Sequence, residues 1–210
     1  FLWISLGVLT KGPIAILVPL VSGFVFFALQ KDLKLFLRAV FDPIGWAVLL
    51  LLVTPWYAAI LLDQGQAFID GFLLKHNIGR FAETLEGHGG SVFYYVPIIF
   101  LLLLPFSGLF VPLFSRFRLK TMSSLDQYCY VTFGFVFIFF SLSSTQLPHY
   151  LLYGFTPLII LLAKQQRSLE SKFLILLPTF FACGLFLCLP EIASIASERV
   201  TAEDQQMMLA

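Results

Sequence analysis

An all-α, polytopic membrane bundle of about six to seven transmembrane spans is predicted for this chain by three observations: its composition, the rhythm of its apolar runs and the placement of its basic residues. Of its 210 residues, 59% are hydrophobic, 17% aromatic and only 12% charged, with a mean hydropathy of +0.92. Soluble domains carry about 25% charged residues, and a soluble core of this length could not bury so much Phe and Leu. The apolar runs are interrupted by Pro and Gly, which a membrane bundle tolerates where neighbouring helices satisfy the freed backbone groups.

Spans are predicted at 14–29, 45–62, 92–114, 127–142, 150–163 and 173–189, with a partial span at 1–9. Several are shorter than the roughly 20 residues of a free-standing span, so their ends follow from neighbours and charge. Lys31, Lys34 and Arg38 lie in one connection, Arg116, Arg118 and Lys120 in the next but one, and Lys164, Arg167 and Lys172 in the next but one again. Together they are nine of the thirteen basic residues, and the positive-inside rule makes these alternate loops cytoplasmic. The loop 63–91, the turn 143–149 and the tail then face outward. The predicted organisation is a membrane domain over 1–189, with its outward loop at 63–91, followed by an outward polar segment over 190–210.

The net charge of +1 says little about partners, because the charges are sorted by side. The chain opens at Phe1 inside an apolar run with no signal-peptide pattern, and reads as a fragment. Cys129, Cys183 and Cys188 form no disulfide framework and read as buried thiols. There is no repeat, glycine-rich phosphate loop, dinucleotide fingerprint or zinc spacing, and no nucleic acid is expected as a partner.

Chemistry concentrates in 68–81, where Lys75, His76, Asn77 and Arg80 stand within six positions of an apolar chain. If the segment is helical, Phe72, His76 and Arg80 share one face. Asn77, Phe72 and Phe81 would complete a donor-rich pocket with greasy walls, which suits a phosphate held by paired guanidinium hydrogen bonds. Lys75 reads instead as a snorkelling residue at the interface. Downstream, Glu83, Glu86, His76 and His88 have ligand types that would allow a divalent metal, but not the spacing of a tight site, so no metal site is assigned. Tyr94 and Tyr95 read as aromatic-belt residues. Lys11-Gly12-Pro13 is a breaker at the outer face. The hydroxyl-rich turn from Ser143 through Gln146, His149 and Tyr150 either lines a polar sugar pocket or merely reverses the chain.

Taken in order, Gly7-Val8-Leu9-Thr10-Lys11-Gly12-Pro13, Pro55-Trp56-Tyr57, Lys75-His76-Asn77-Ile78-Gly79-Arg80-Phe81 with His88, and Gln146-Leu147-Pro148-His149-Tyr150-Leu151-Leu152 resemble a family. It is the bacterial branch of the protein-mannosyltransferase and aminoarabinose-transferase glycosyltransferases. The resemblance covers residues 7–163 and implies a helical C-type fold and a polyprenyl-phosphate sugar donor. It implies transfer to a lipid, glycan or protein acceptor on the outer side of the bacterial cytoplasmic membrane. By motif, Arg80, His76 and Lys11 would bind the donor phosphate, while Asn77, His88, Gln146, His149 and Tyr150 would line the cavity. The family's catalytic Asp belongs to an outward loop near the N-terminus that this sequence does not contain, so no catalytic residue is assigned. Gln146 stands where many relatives carry a basic residue. Two other readings remain: a lipid-linked-sugar transporter or flippase, whose moving parts would be helices broken at Pro55 and Pro105, and a non-catalytic membrane subunit.

Overall fold

The computed structural model describes residues 1–72, 91–115, 117, 122–165 and 171–209, the side chains of 192 and 195–209 excepted. Among these residues all regular structure is helical, as predicted. The chain forms two compact units, one of Phe1–Ile98 with Phe117–Lys164 and another of Ile99–Arg116 with Gln165–Ala210.

In the first unit, α1 (Leu2–Lys11) stops at Gly12, whose φ of 71° is open to glycine and whose N–H bonds the Val8 carbonyl at 2.9 Å. Pro13 then starts α2 (Ile14–Leu29). The Asp32 side chain caps α3 (Leu33–Val40), and the Asp42 side chain caps α4 (Pro43–Gln64) by accepting from Gly45 N at 2.7 Å. At about 1.5 Å per residue the 22 residues of α4 span the hydrocarbon. Its apolar surface is left bare for lipid, with Leu51 76% and Leu62 89% exposed.

Four contacts fix the helix directions. Phe1 meets Trp46 at the start of α4, while the Tyr57 hydroxyl donates to the Val8 carbonyl at 3.2 Å further along, so α1 and α4 run parallel. Gln30 Nε2 donates to Gln127 Oε1 at 2.6 Å, joining the end of α2 to the start of α7 (Ser124–Ser141). Asp126, in the first turn of α7, pairs with Lys164 just after α8 (Phe155–Ala163). Residues 30, 126, 127 and 164 thus gather at one end of the bundle. Each borders one of the three basic connections, as the predicted alternation of sides requires.

The opposite end holds the close of α1, the turn 143–147 and the 3-10 segment Pro148–Gly154. The two helices flanking this turn pack closely: a Cβ on Gly154 would lie 3.2 Å from Val136. Tyr95, at the head of α5 (Tyr95–Leu102), is fully buried; its hydroxyl donates to the Leu147 carbonyl at 3.0 Å and accepts from Leu147 N at 3.1 Å. Tyr95 is therefore not a belt residue at the lipid surface. Tyr94, in the turn before it, is only partly buried, its ring edge-on to that of Tyr95 at 5.0 Å.

The span predicted at 92–114 is broken. Tyr95–Leu102 and Phe106–Ser115 meet at 115°, with Pro105 at the break and α6 (Phe110–Ser115) beyond it. In the second unit Gly108 abuts α9 (Lys172–Leu209) so closely that a Cβ would stand 2.0 Å from the Leu174 carbonyl oxygen. The helix of α9 passes through Pro190 without a stop, so the polar segment begun at 190 continues the preceding helix up to Leu209. Cys129 is buried as expected, but Cys183 and Cys188 lie exposed on α9, since a helix facing lipid need not bury small apolar side chains. By length and apolarity alone, Pro43–Gln64 and Lys172–Glu191 qualify as spans, and a third is added if the bent pair is one.

Tyr95→Phe removes both bonds to Leu147 and takes away the partner of the Leu147 N–H, while the Leu147 carbonyl keeps the Tyr150 N–H; a loss of about 1–3 kcal/mol is expected, read by denaturation in mild detergent. Gly108→Ala should cost about 1–3 kcal/mol through overpacking, lowering the thermal midpoint in the same assay.

Candidate functional site

Lys11 ends α1 with an exposed ammonium at the end of the bundle away from the basic connections. Beneath it, Thr10 Oγ1 returns to the Leu6 and Gly7 carbonyls at 3.1 and 3.0 Å, so the helix end is closed by its own side chain. One turn earlier Val8 receives the Tyr57 hydroxyl, and the Tyr57 ring meets Phe68 at 5.9 Å and Phe72 at 6.2 Å, both edge-on. Phe68 and Phe72 stack on one another at 5.2 Å with ring planes 9° apart. This aromatic platform ties the root of the loop after α4 to the helix that carries Lys11.

The platform forms because α4 ends at Gly65, at φ 55°, and the chain turns into the short helical segment Gln66–Phe68 followed by a wider π-helical turn at 69–72. Four residues separate Phe68 from Phe72, which brings the two rings over one another. Gln66 Nε2 donates to Asp70 Oδ1 at 3.0 Å, so that carboxylate is engaged within the turn. The predicted phosphate-binding residues Arg80 and His76, with Asn77, Lys75, Glu83, Glu86 and His88, lie outside the described residues.

The second group is the turn 143–150. Ser143 Oγ donates to the Thr145 carbonyl at 3.0 Å, and Gln146 Nε2 to the Ser141 carbonyl at 3.0 Å. Gln146 is 4% exposed, with its amide carrying the turn back onto α7. Its Oε1 has no partner among the described residues. Tyr150 is buried against Phe140 at 4.8 Å, while His149 is exposed with its ring edge-on to Tyr150 at 4.9 Å. Of the three turn residues predicted to line a cavity, His149 is the one whose polar atoms are presented; Gln146 and Tyr150 hold the turn in shape.

The helix directions place both groups at the same end of the first unit. Two residues important to that arrangement were not among the expected site residues, Tyr57 and Tyr95. Tyr57 sits in the Pro-Trp-Tyr motif, but its function there is to meet a backbone carbonyl in another helix. Among the described residues no group of three or more His, Cys, Asp or Glu is placed to hold a metal.

No family model matches the chain. It is similar to undecaprenyl phosphate-alpha-4-amino-4-deoxy-L-arabinose arabinosyl transferases: 32% identical over 162 residues to that of Erwinia tasmaniensis, covering 76% of this chain and 28% of the relative. With that of Yersinia pestis (strain Pestoides F) it is 30% identical over 193 residues, covering 87% and 34%. Among solved structures, ArnT from Cupriavidus metallidurans bound to undecaprenyl phosphate matches with a TM-score of 0.64 and 27% identity, over 76% of this chain and 28% of that one. The chain thus spans about a third or less of the length of the relatives it matches. Over three quarters or more of its residues, this chain is a homologue of part of the bacterial undecaprenyl-phosphate aminoarabinose transferases, the family that its motifs resemble.

Proposed function

We propose that the protein carrying this chain is a glycosyltransferase that moves a sugar from a polyprenyl-phosphate donor to a lipid, glycan or protein acceptor at the outer side of the bacterial cytoplasmic membrane. The observation that carries this reading is the homology to transferases named for an undecaprenyl phosphate-linked aminoarabinose, together with a matching fold bound to undecaprenyl phosphate. In it, six to seven spans cross the membrane, the three basic connections are cytoplasmic, and loop 63–91 and turn 143–149 face outward.

In this reaction the bond between the anomeric carbon and the phosphate oxygen breaks, the acceptor hydroxyl oxygen forms the new bond to that carbon, and its proton passes to a base. Charge grows on the departing lipid phosphate. Arg80 and His76, with Lys11 above the Tyr57 platform, donate to those oxygens and stabilise the transition state more than the ground state. Asn77, His88 and His149 line the sugar side of the cavity, and Gln146 and Tyr150 contribute by holding its wall. The base is not assigned to this chain. Ordered rings under the loop root support the placement, because a phosphate-binding side chain acts well only when its own helix is held.

In the full-length protein, Arg80→Ala should weaken polyprenyl-phosphate binding by about tenfold or more, the scale of a lost hydrogen bond to a charged group. Lys120→Ala, assigned to the cytoplasmic side, should leave binding within about twofold. Equal losses in a lipid-binding titration would remove Arg80 from the site. Transfer of radiolabelled sugar from a polyprenyl-phosphate donor in membranes, present in wild type and lost in Arg80→Ala, supports the enzyme. Donor binding without turnover in wild type would instead indicate a flippase or a subunit.

A further inference from the structure

We infer that α3 is a docking surface for acidic phospholipid headgroups, lying in the membrane interface and holding them through Lys31, Lys34 and Arg38. The connection 30–42 joins two apolar helices that run in opposite directions, so it begins and ends at the same end of the bundle. With eight residues, α3 is about 12 Å long and cannot cross the hydrocarbon.

One side chain anchors it to the protein. Phe36 is buried, edge-on to Phe24 at 5.8 Å and tilted against Phe27 at 6.1 Å, with Gly23 so near that a Cβ there would stand 3.2 Å from its ring. Lys34 and Arg38, one turn apart, project from the face opposite Phe36. Beside them Leu33, Leu37 and Phe41 follow the same four-residue spacing and remain 39%, 51% and 71% exposed. An apolar stripe alongside a basic stripe is the pattern of a helix lying in a membrane surface.

Charge selects the occupant. The neighbouring carboxylates are committed to backbone: Asp32 Oδ1 accepts from Leu35 N at 3.2 Å and Asp42 Oδ2 from Gly45 N at 2.7 Å. Among the described residues none of the three cations has an ion-pair partner. Depth is set by Trp46, 42% exposed, whose indole N–H donates to the Val40 carbonyl at 2.8 Å and closes α3 from the first turns of α4; an indole in that position sits at headgroup level. Each cation near an anionic surface strengthens association by about fivefold, so three unpaired ones favour acidic over zwitterionic lipid. The inference is independent of the reaction proposed above.

The test reconstitutes the full-length protein in vesicles of unlabelled phosphatidylcholine and phosphatidylglycerol at fixed proportions, with a dibrominated form of one lipid replacing part of its unlabelled counterpart. Quenching assigned to Trp46 is taken as the difference between wild type and Trp46→Phe. Per mole of brominated lipid, phosphatidylglycerol should quench Trp46 more strongly than phosphatidylcholine, by about fivefold or more. That preference should fall to parity in Lys31→Gln/Lys34→Gln/Arg38→Gln, survive in Lys34→Arg, and shrink in wild type as salt rises. Equal quenching by the two lipids overturns the inference. So does a preference indifferent to salt, which needs no variant to read, or an absence of quenching, as expected if a protein partner covers α3.

Discussion

Hydrocarbon gives a peptide group nothing to bond to, so each N–H and C=O set free where a helix breaks must find a partner within the protein. This chain breaks its helices repeatedly, and the solutions are visible one by one. At the first break Gly12 turns its N–H back to Val8; at the break in 92–114, Phe106 N bonds the Leu103 carbonyl at 2.6 Å. At the turn after α7, the phenol of Tyr95 serves both groups of Leu147. Inside the helices, the Thr132 and Thr179 hydroxyls bond carbonyls four residues back, at 2.9 and 2.6 Å.

The same constraint sorts the polar chemistry to the ends of the first unit. One end carries the ion pair of Asp126 with Lys164, the amide pair of Gln30 with Gln127, and the capped amphipathic helix α3. The other carries Lys11, the ring platform of Tyr57, Phe68 and Phe72, and the turn with His149. In the proposed reaction and the inferred docking of α3, a charged lipid is met at either end by different means. At one end the cations flank an exposed apolar strip and face the leaflet broadly. At the other, aromatic packing holds the root of a single loop, which is the arrangement suited to one headgroup in one orientation.

Fold class and helix direction were legible in the sequence because both rest on strong, additive signals: apolar length, Gly-Pro breaks and clusters of Lys and Arg. Helices α1, α2 and α4 lie close to their predicted ranges. The run predicted as a span at 92–114 is bent, because Pro105 and the close contact of Gly108 with Leu174 redirect a segment whose hydropathy is continuous. In the tail, polarity changes at 190 while helical backbone does not, so α9 runs on through it. At the candidate site, residue types pointed to the turn 143–150 but not to which side chains are presented. Gln146 and Tyr150 look like cavity residues by type and are buried by contacts with Ser141 and Phe140 that lie outside any local pattern. Tyr95 was hidden for the same reason, its partner being 52 residues away.

Tyr95 grips the turn by its main chain and takes no notice of which side chain Leu147 bears. Shape and content are thereby uncoupled: residues around the grip can be exchanged during descent without the loop losing its course. His149, exposed beside that grip, is a position of this kind. Single substitutions at such exposed positions can change what the turn displays while the main-chain grip keeps its course.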